Sequence, residues 1–149
     1  MNAKHKNNKK IRAKEKPRDK SARKSNDPDN FNSMKPTWMI GQIDRSCDWG
    51  WENISLDEFW TEIYSKLKSF ESMNWTQIIH SGSHNVKICD FIPEAQKRLD
   101  ELYLDDLEEL FSLRLTGEKR IWGIKNQHIL SIIWYDPEHK ICPSLKKHT

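Results

Sequence analysis

Large apolar side chains, which a folded domain needs for its core, are nearly confined to the part of this 149-residue chain after residue 36. Between residues 2 and 36 they are only Ile11, Phe31 and Met34. So few apolar groups cannot offset the conformational entropy that a segment loses on folding. We therefore predict a disordered leader over residues 1–36. Residues 37–149 are long enough for one α+β domain with a single core.

Charge divides the chain at the same place. Residues 1–36 have 12 basic and 4 acidic side chains, a net charge of +8, whereas residues 37–149 have 13 basic and 18 acidic ones, a net charge of −5. A polybasic segment binds a phosphate chain by releasing its counterions. The leader is therefore either an arm that binds nucleic acid or the ribosome, or a solvated tail without a specific partner.

Several protein classes do not fit the sequence. It has no run of about 18 apolar residues for a membrane span and no apolar segment near its start for secretion, so we expect a cytoplasmic protein with no membrane partner. Three widely spaced cysteines without a C-x-x-C pair argue against a disulfide framework and a zinc knuckle. Glycine-rich nucleotide loops and a G-x-S-x-G motif are missing too, and we predict neither a metal nor a cofactor.

Hydrophobic spacing predicts mostly helices in the first half of the domain. Ser55 is a suitable cap for a helix running to about Phe70, and Asn74 is a suitable cap for a short second helix. Pro93 is suited to the first turn of a third helix. A further helical piece is expected from about residue 104 to Phe111. Residues 38–43 alternate as a strand does, and residues 86–92 are either a second strand or an extended linker.

The C-terminal part changes to strand patterning. Arg120–Lys125 and Ile129–Tyr135 are predicted strands joined by Asn126–Gln127, with a further short run at about Lys140–Cys142. Ile129–Trp134 is apolar on both sides, which is typical of a central strand. The predicted fold is thus α+β, a small antiparallel C-terminal sheet packed against N-terminal helices.

Reactive side chains of the domain are concentrated in this C-terminal part. His139 follows a buried strand, where a loop can hold it as a general acid with Asp136 or Glu138 to orient it or to act as base. The alternative is an ordinary turn with an exposed histidine. Arg114 and Arg120 flank a Thr-Gly turn, and they either converge on one phosphate or pair with acidic side chains.

For other residues of this part, the sequence allows either a role in nucleic-acid binding or a purely structural role. Trp122 and Tyr135 either form a platform on which bases stack or fill a small core. Lys146, Lys147 and His148, near the end of the sequence, either clamp a nucleic-acid backbone or only keep the tail soluble.

The segment LFSLRLTGEKRIWGIKNQHILSIIWYDPEHKICPS, Leu110 to Ser144, resembles the C-terminal half of the RelE/ParE toxin superfamily. The domain from Trp38 onward, with DWGWENI, FESMNWTQI and DPEHKICPSLKKHT, resembles a group of small bacterial ParE-like proteins. The resemblance implies a RelE/ParE-like fold and a toxin of a type II toxin–antitoxin system. It also implies a cognate antitoxin as partner, and either ribosome-dependent cleavage of messenger RNA, without a metal, or gyrase inhibition as the activity.

The resemblance also suggests roles for individual residues. By position, Arg120 matches the superfamily arginine that stabilises charge on the phosphorane, and residues 146–148 match the basic tail. We expect His139 or His148 as the acid and Arg114, Lys119, Lys146 and Lys147 as backbone contacts, with Trp122 as a further nucleic-acid-binding residue. The alternative is a non-catalytic module that binds nucleic acid or a protein.

Overall fold

A five-stranded mixed sheet lies at the centre of the computed structural model, which describes residues 31–143. The strands are β1 (Thr37–Met39), β2 (His84–Lys87), β3 (Glu109–Arg114), β4 (Arg120–Asn126) and β5 (Ile129–Asp136). Their order across the sheet is β1-β5-β4-β3-β2. β1 runs parallel to β5, and the other neighbours are antiparallel. β5 therefore lies inside the sheet, as its apolar sequence predicted.

Helices α1 (residues 56–70), α2 (Trp75–His80) and α3 (Pro93–Glu101) pack against this sheet. α1 is α-helical at Leu56–Glu58 and Ser65–Phe70 and π-helical over Phe59–Tyr64 between them. Within residues 31–143, no helix is both long enough and apolar enough to cross a membrane. The α+β class is confirmed, and α1, α2 and α3 are the helices that the spacing predicted.

Hydrogen bonds at the helix starts explain why they begin where they do. Ser55 Oγ accepts a bond of 3.1 Å from the backbone N–H of Glu58 at the start of α1. Asn74 and Gln77 form a reciprocal capping box at the start of α2, with both bonds at 2.9 Å. Pro93 occupies the first turn of α3, where its missing N–H leaves no helical bond unmade. These three helix starts are confirmed.

Each face of the sheet has its own apolar core. Ile121 of β4 contributes to the core beneath α1 and α2, and the next residue, Trp122, contributes to the core beneath α3. The first core includes Ile63, Trp75, Ile78, Phe111 and Leu113, and the second includes Phe91, Ala95, Leu99, Leu110 and Trp134. Because both faces are covered, the interior strands are apolar on both sides.

The pairing of β4 with β5 is irregular at Gly123. Gly123 pairs with Ile132 and the residue before it pairs with Trp134, so Ile133 is an extra residue on β5. This is a β-bulge. Glycine is required here, because a Cβ at this position would lie 2.4 Å from the backbone oxygen of Ser131.

A buried ion pair joins the loop after β1 to α3 and to β5. Asp44, only 4% exposed, accepts bonds of 2.8 and 2.7 Å from the Arg98 guanidinium and one of 2.8 Å from Trp134 Nε1. Its backbone N–H donates to the oxygen of Ile133 at 3.0 Å. Burial alone would raise the pKa of the Asp44 carboxyl, but the bonds from Arg98 and Trp134 outweigh it and hold that pKa well below its ordinary value.

Several expectations about secondary structure are wrong. Residues 104–108 are not helical, and Phe111 lies in β3, because Leu110 and Phe111 enter opposite cores as neighbours in a strand do. The first strand ends at Met39, since a turn follows over residues 40–43. The segment at about Lys140–Cys142 is not a strand. The sheet is also not purely antiparallel, because its outer strand β1 is parallel to β5.

The last residues assigned to the leader are in contact with the domain. The backbone oxygen of Asn32 accepts from Thr76 Oγ1, and that of Met34 accepts from the N–H of Trp75, both at 3.1 Å. Pro36 is buried. The remainder of the predicted leader, residues 1–30, and residues 144–149 lie outside the described residues.

Removing the Asp44 carboxylate is expected to destabilise the fold. In Asp44→Ala, Arg98 loses its buried partner, so the free energy of unfolding should fall by about 3 kcal/mol in urea denaturation. Glu101→Ala is the matched control, because Glu101 accepts from the same guanidinium at 3.0 Å but is exposed. That control should lose less than about 1 kcal/mol. Equal losses in the two variants would contradict the role given to Asp44.

The same carboxylate should make stability depend on acid. Because the pKa of Asp44 is lowered in the fold from 3.8, its contribution is present above about pH 4 and is lost as the pH falls further. The stability difference between the natural chain and Asp44→Asn should therefore shrink steadily below about pH 4 in urea unfolding. A difference that stays constant over this range would show that the Asp44 pKa is not lowered.

Candidate functional site

Basic side chains meet at the end of the sheet where the β3–β4 hairpin lies beside the turn after β5. Arg114, at the end of β3, pairs with Arg120 at the start of β4, and Arg120 pairs in turn with Asp136 at the end of β5. His139, in the turn, lies near enough to both arginines for their charges to lower its pKa. Arg114, Arg120 and His139 are termed the arginine–histidine cluster.

The two guanidinium groups of this cluster converge on one backbone carbonyl. Arg120 Nη1 donates to the oxygen of Thr116 at 2.8 Å and to that of Lys119 at 3.1 Å, and Arg114 Nε donates to Thr116 at 3.4 Å. Among residues 31–143, neither arginine forms an ion pair with a carboxylate. Burial and the charge of Arg114 lower the pKa of Arg120, which stays cationic nevertheless. The cluster therefore presents positive charge that no described carboxylate pairs with directly.

Asp136 holds the turn that presents His139. It is 1% exposed, and its carboxylate accepts from the backbone N–H groups of Lys140 and Ile141 at 2.9 and 3.0 Å and from Trp122 Nε1 at 3.3 Å. These bonds occupy the carboxylate, so Asp136 acts as a structural clamp and is a poor choice for a catalytic base. The other proposed base, Glu138, is exposed and forms an ion pair of 2.8 Å with Lys140.

His139 is held in an unusual backbone conformation beside the arginines. Its φ is +57°, in the left-handed region, which is uncommon for residues other than glycine and in which asparagine, aspartate and histidine are enriched. Burial, followed by the charge of Arg120, lowers the pKa of His139 below 6.5. The imidazole is therefore neutral at pH 7 and can accept a proton, which suits a general base better than the acid predicted from the sequence.

Lys119 lies beside the cluster but is engaged elsewhere. Its Nζ forms an ion pair with Glu62 of α1. One turn earlier on the same helix, Glu58 Oε2 accepts a bond of 2.7 Å from Tyr135 O–H. Burial and this bond raise the pKa of Tyr135, so its hydroxyl stays protonated. No local pattern indicates that Glu58 pairs with Tyr135 or Glu62 with Lys119, because more than fifty residues separate the partners.

The ring of Trp122 belongs to the core. It is 1% exposed and meets Phe91 edge to face at a centroid distance of 5.0 Å. A buried ring cannot stack on a base, so of the two interpretations of Trp122 the structure favours core packing. Tyr135 is likewise 3% exposed. The remaining predicted site residues, Lys146, Lys147 and His148, lie outside the described residues.

The loop between α2 and β2 supports Arg114 and was not anticipated as part of the site. Ser83, fully buried, accepts a bond of 2.9 Å at Oγ from the backbone N–H of Arg114. Gly82 has a φ of +115°, and a Cβ on it would lie 2.9 Å from Arg114 Nη1. Nothing local in the Ser81–Gly82–Ser83 run reveals that its partner is Arg114.

No protein-family model, curated protein or solved structure matches this chain. The resemblance to the RelE/ParE superfamily therefore stays a prediction. Among residues 31–143, no group of three or more histidine, cysteine or acidic side chains is arranged to hold a metal ion.

Neutralising one arginine should raise the pKa of His139. In Arg120→Gln, the imidazolium loses a repulsive neighbour, so NMR titration of the imidazole Cε1–H should give a higher pKa than in the natural chain. His139→Asn identifies the signal by its loss. Arg45→Gln is the matched control, because it removes the same charge from an exposed pair with Glu52 and should leave the His139 pKa unchanged. An unchanged value in Arg120→Gln would mean that the two groups are not neighbours.

Proposed function

We propose that the protein is the toxin of a type II toxin–antitoxin system and cleaves RNA, on the ribosome, at the arginine–histidine cluster. The observation that supports this most strongly is the convergence of two guanidinium groups, without a described carboxylate partner, beside His139, whose pKa burial and the charge of Arg120 lower. Guanidinium groups are well suited to phosphate oxygens because they donate in a planar fork. The neutral imidazole adds a group that can take up a proton.

These residues suit cleavage by the RNA's own 2′-hydroxyl. His139 takes the proton of that hydroxyl, its oxygen bonds to phosphorus, and the bond from phosphorus to the 5′-oxygen breaks. Arg114 and Arg120 stabilise the negative charge that builds up on the phosphorane oxygens. The departing 5′-oxygen takes a proton from water or from His148, which the sequence offers as the acid. The products are a 2′,3′-cyclic phosphate and a 5′-hydroxyl.

The exposed apolar surface of α1 is the place proposed for the cognate antitoxin. Leu56, Trp60 and Tyr64 are all exposed, and the last two rings lie 4.9 Å apart. Their spacing places them along one side of the helix, and aromatic side chains left in solvent are typical of surfaces that bind another protein.

A non-catalytic nucleic-acid-binding module is the second candidate function. The carboxylate of Asp136 favours this function, because it already binds the backbone N–H groups of the turn. His139 is then the main group of the described cluster that can transfer a proton, whereas cleavage benefits from both a base and an acid. In that case the arginines would bind phosphate without cleavage. The experiment below separates the two candidates.

Cleavage is tested by inducing the full chain in a bacterial host and by incubating purified protein with labelled RNA, with and without ribosomes. We expect the natural chain to arrest growth and co-expression of its cognate antitoxin to relieve the arrest. The Trp60→Ser variant should still arrest growth, but the antitoxin should no longer relieve it. His139→Asn, which tolerates the left-handed backbone, should slow cleavage by about 10²-fold or more while RNA affinity changes little. Arg120→Gln should weaken both affinity and rate.

Arg45→Gln controls for the loss of one positive charge and should behave as the natural chain does. Cleavage that persists at the full rate in His139→Asn would disprove the mechanism. RNA binding that Arg120→Gln weakens, with no cleavage by the natural chain under any condition, would establish the non-catalytic function instead.

A further inference from the structure

A second basic side chain lies in an unusual setting at the other end of β4. Lys125 Nζ donates to Asn32 Oδ1 and to the backbone oxygen of Gln127, both at 2.9 Å, and lies 5.0 Å from the centroid of the Trp75 ring. It is partly buried, and this burial lowers its pKa. Among residues 31–143, Lys125 has no carboxylate partner. A partly desolvated cation of this kind gains free energy when an anion binds beside it.

Lys125 lines a cleft of about 550 Å³. The apolar part of the lining comes from Phe31, Ile79 and Phe111, and the polar part includes the side chains of Asn85 and Asn126. The volume falls within the range of sites for small organic ligands. The cleft therefore combines one cation, apolar walls and amide groups that can both donate and accept hydrogen bonds.

These features define the chemistry of a ligand. The cation of Lys125 favours a ligand with a phosphate or another anionic group. The aromatic and aliphatic walls favour a flat ring system, and the amide side chains favour one with hydrogen-bond donors and acceptors at its edge. We propose that this cleft binds a nucleoside monophosphate, either free or as one nucleotide of an RNA chain, with the phosphate at Lys125 and the base against Phe31 and Ile79.

The cleft is separate from the arginine–histidine cluster. Lys125 and Arg120 lie near opposite ends of β4, which puts them about 17 Å apart along the strand. The lining residue Phe111 belongs to the core beneath α1 and α2, whereas Trp122, two residues after Arg120 and on the same face of β4, belongs to the other core. The proposal therefore does not depend on the function proposed for the cluster.

The test is calorimetric titration of the full chain with adenosine 5′-monophosphate and with adenosine. We expect the monophosphate to bind and adenosine to bind at least about tenfold more weakly, because it lacks the anion. Lys125→Gln should weaken binding of the monophosphate by about tenfold or more, whereas Lys125→Arg, which retains the charge, should keep most of the affinity. Lys87→Gln, an exposed lysine of β2, is the matched control and should leave binding unchanged.

Three outcomes would overturn the proposal. They are no binding of the monophosphate at millimolar concentration, equal binding by Lys125→Gln, and a loss in Arg120→Gln as large as that in Lys125→Gln, which would place the ligand at the cluster. A short RNA that binds more tightly than the monophosphate, and loses affinity in Lys125→Gln, would support the site and identify RNA as the source of its nucleotide.

Discussion

The buried carboxylate of Asp44 is the interaction on which the arrangement of the other elements depends. Its two oxygens hold the guanidinium of α3 and the indole of β5, and its backbone N–H continues the hydrogen bonding of β5 beyond the short strand β1. A charge so well enclosed is stable only when all its bonds form together, because each missing donor would leave a buried charge uncompensated. Loop, helix and sheet are thereby fixed relative to one another.

A second buried aspartate extends this order to the functional end of the sheet. Asp44 fixes Trp134, and two residues later Asp136 turns the chain by binding the backbone N–H groups of Lys140 and Ile141. His139 lies between Asp136 and Lys140 in the sequence, and it adopts a left-handed backbone conformation in this turn. The geometry of the candidate site is thus set by carboxylates that take no part in its chemistry. Polar groups that support a site from behind need to be rigid, and burial makes these two so.

What the sequence predicted was local, and what it missed was tertiary. Capping residues and strand periodicity identified α1, α2, α3, β4 and β5, because those signals act over a few residues. The prediction of a helix up to Phe111 was wrong. Leu110 and Phe111 enter different cores from one strand, but in the sequence such adjacent apolar residues have the same spacing as one face of a helix. Arg120 and His139 were named from chemistry and are brought together, whereas the bond from Tyr135 to Glu58 spans 77 residues and has no local signal.

The bulge at Gly123 places two consecutive side chains of β5 on the same face of the sheet. Leu130 and Ile132 enter the core beneath α1 and α2, Ile133 and Trp134 both enter the core beneath α3, and Tyr135 returns to the first core. Deleting Ile133 would leave a regular strand in which Trp134, Tyr135 and Asp136 keep their present faces, because Ile133 is the residue without a partner on β4. The extra residue therefore adds an apolar side chain to the core beneath α3 without deciding which way the end of β5 faces.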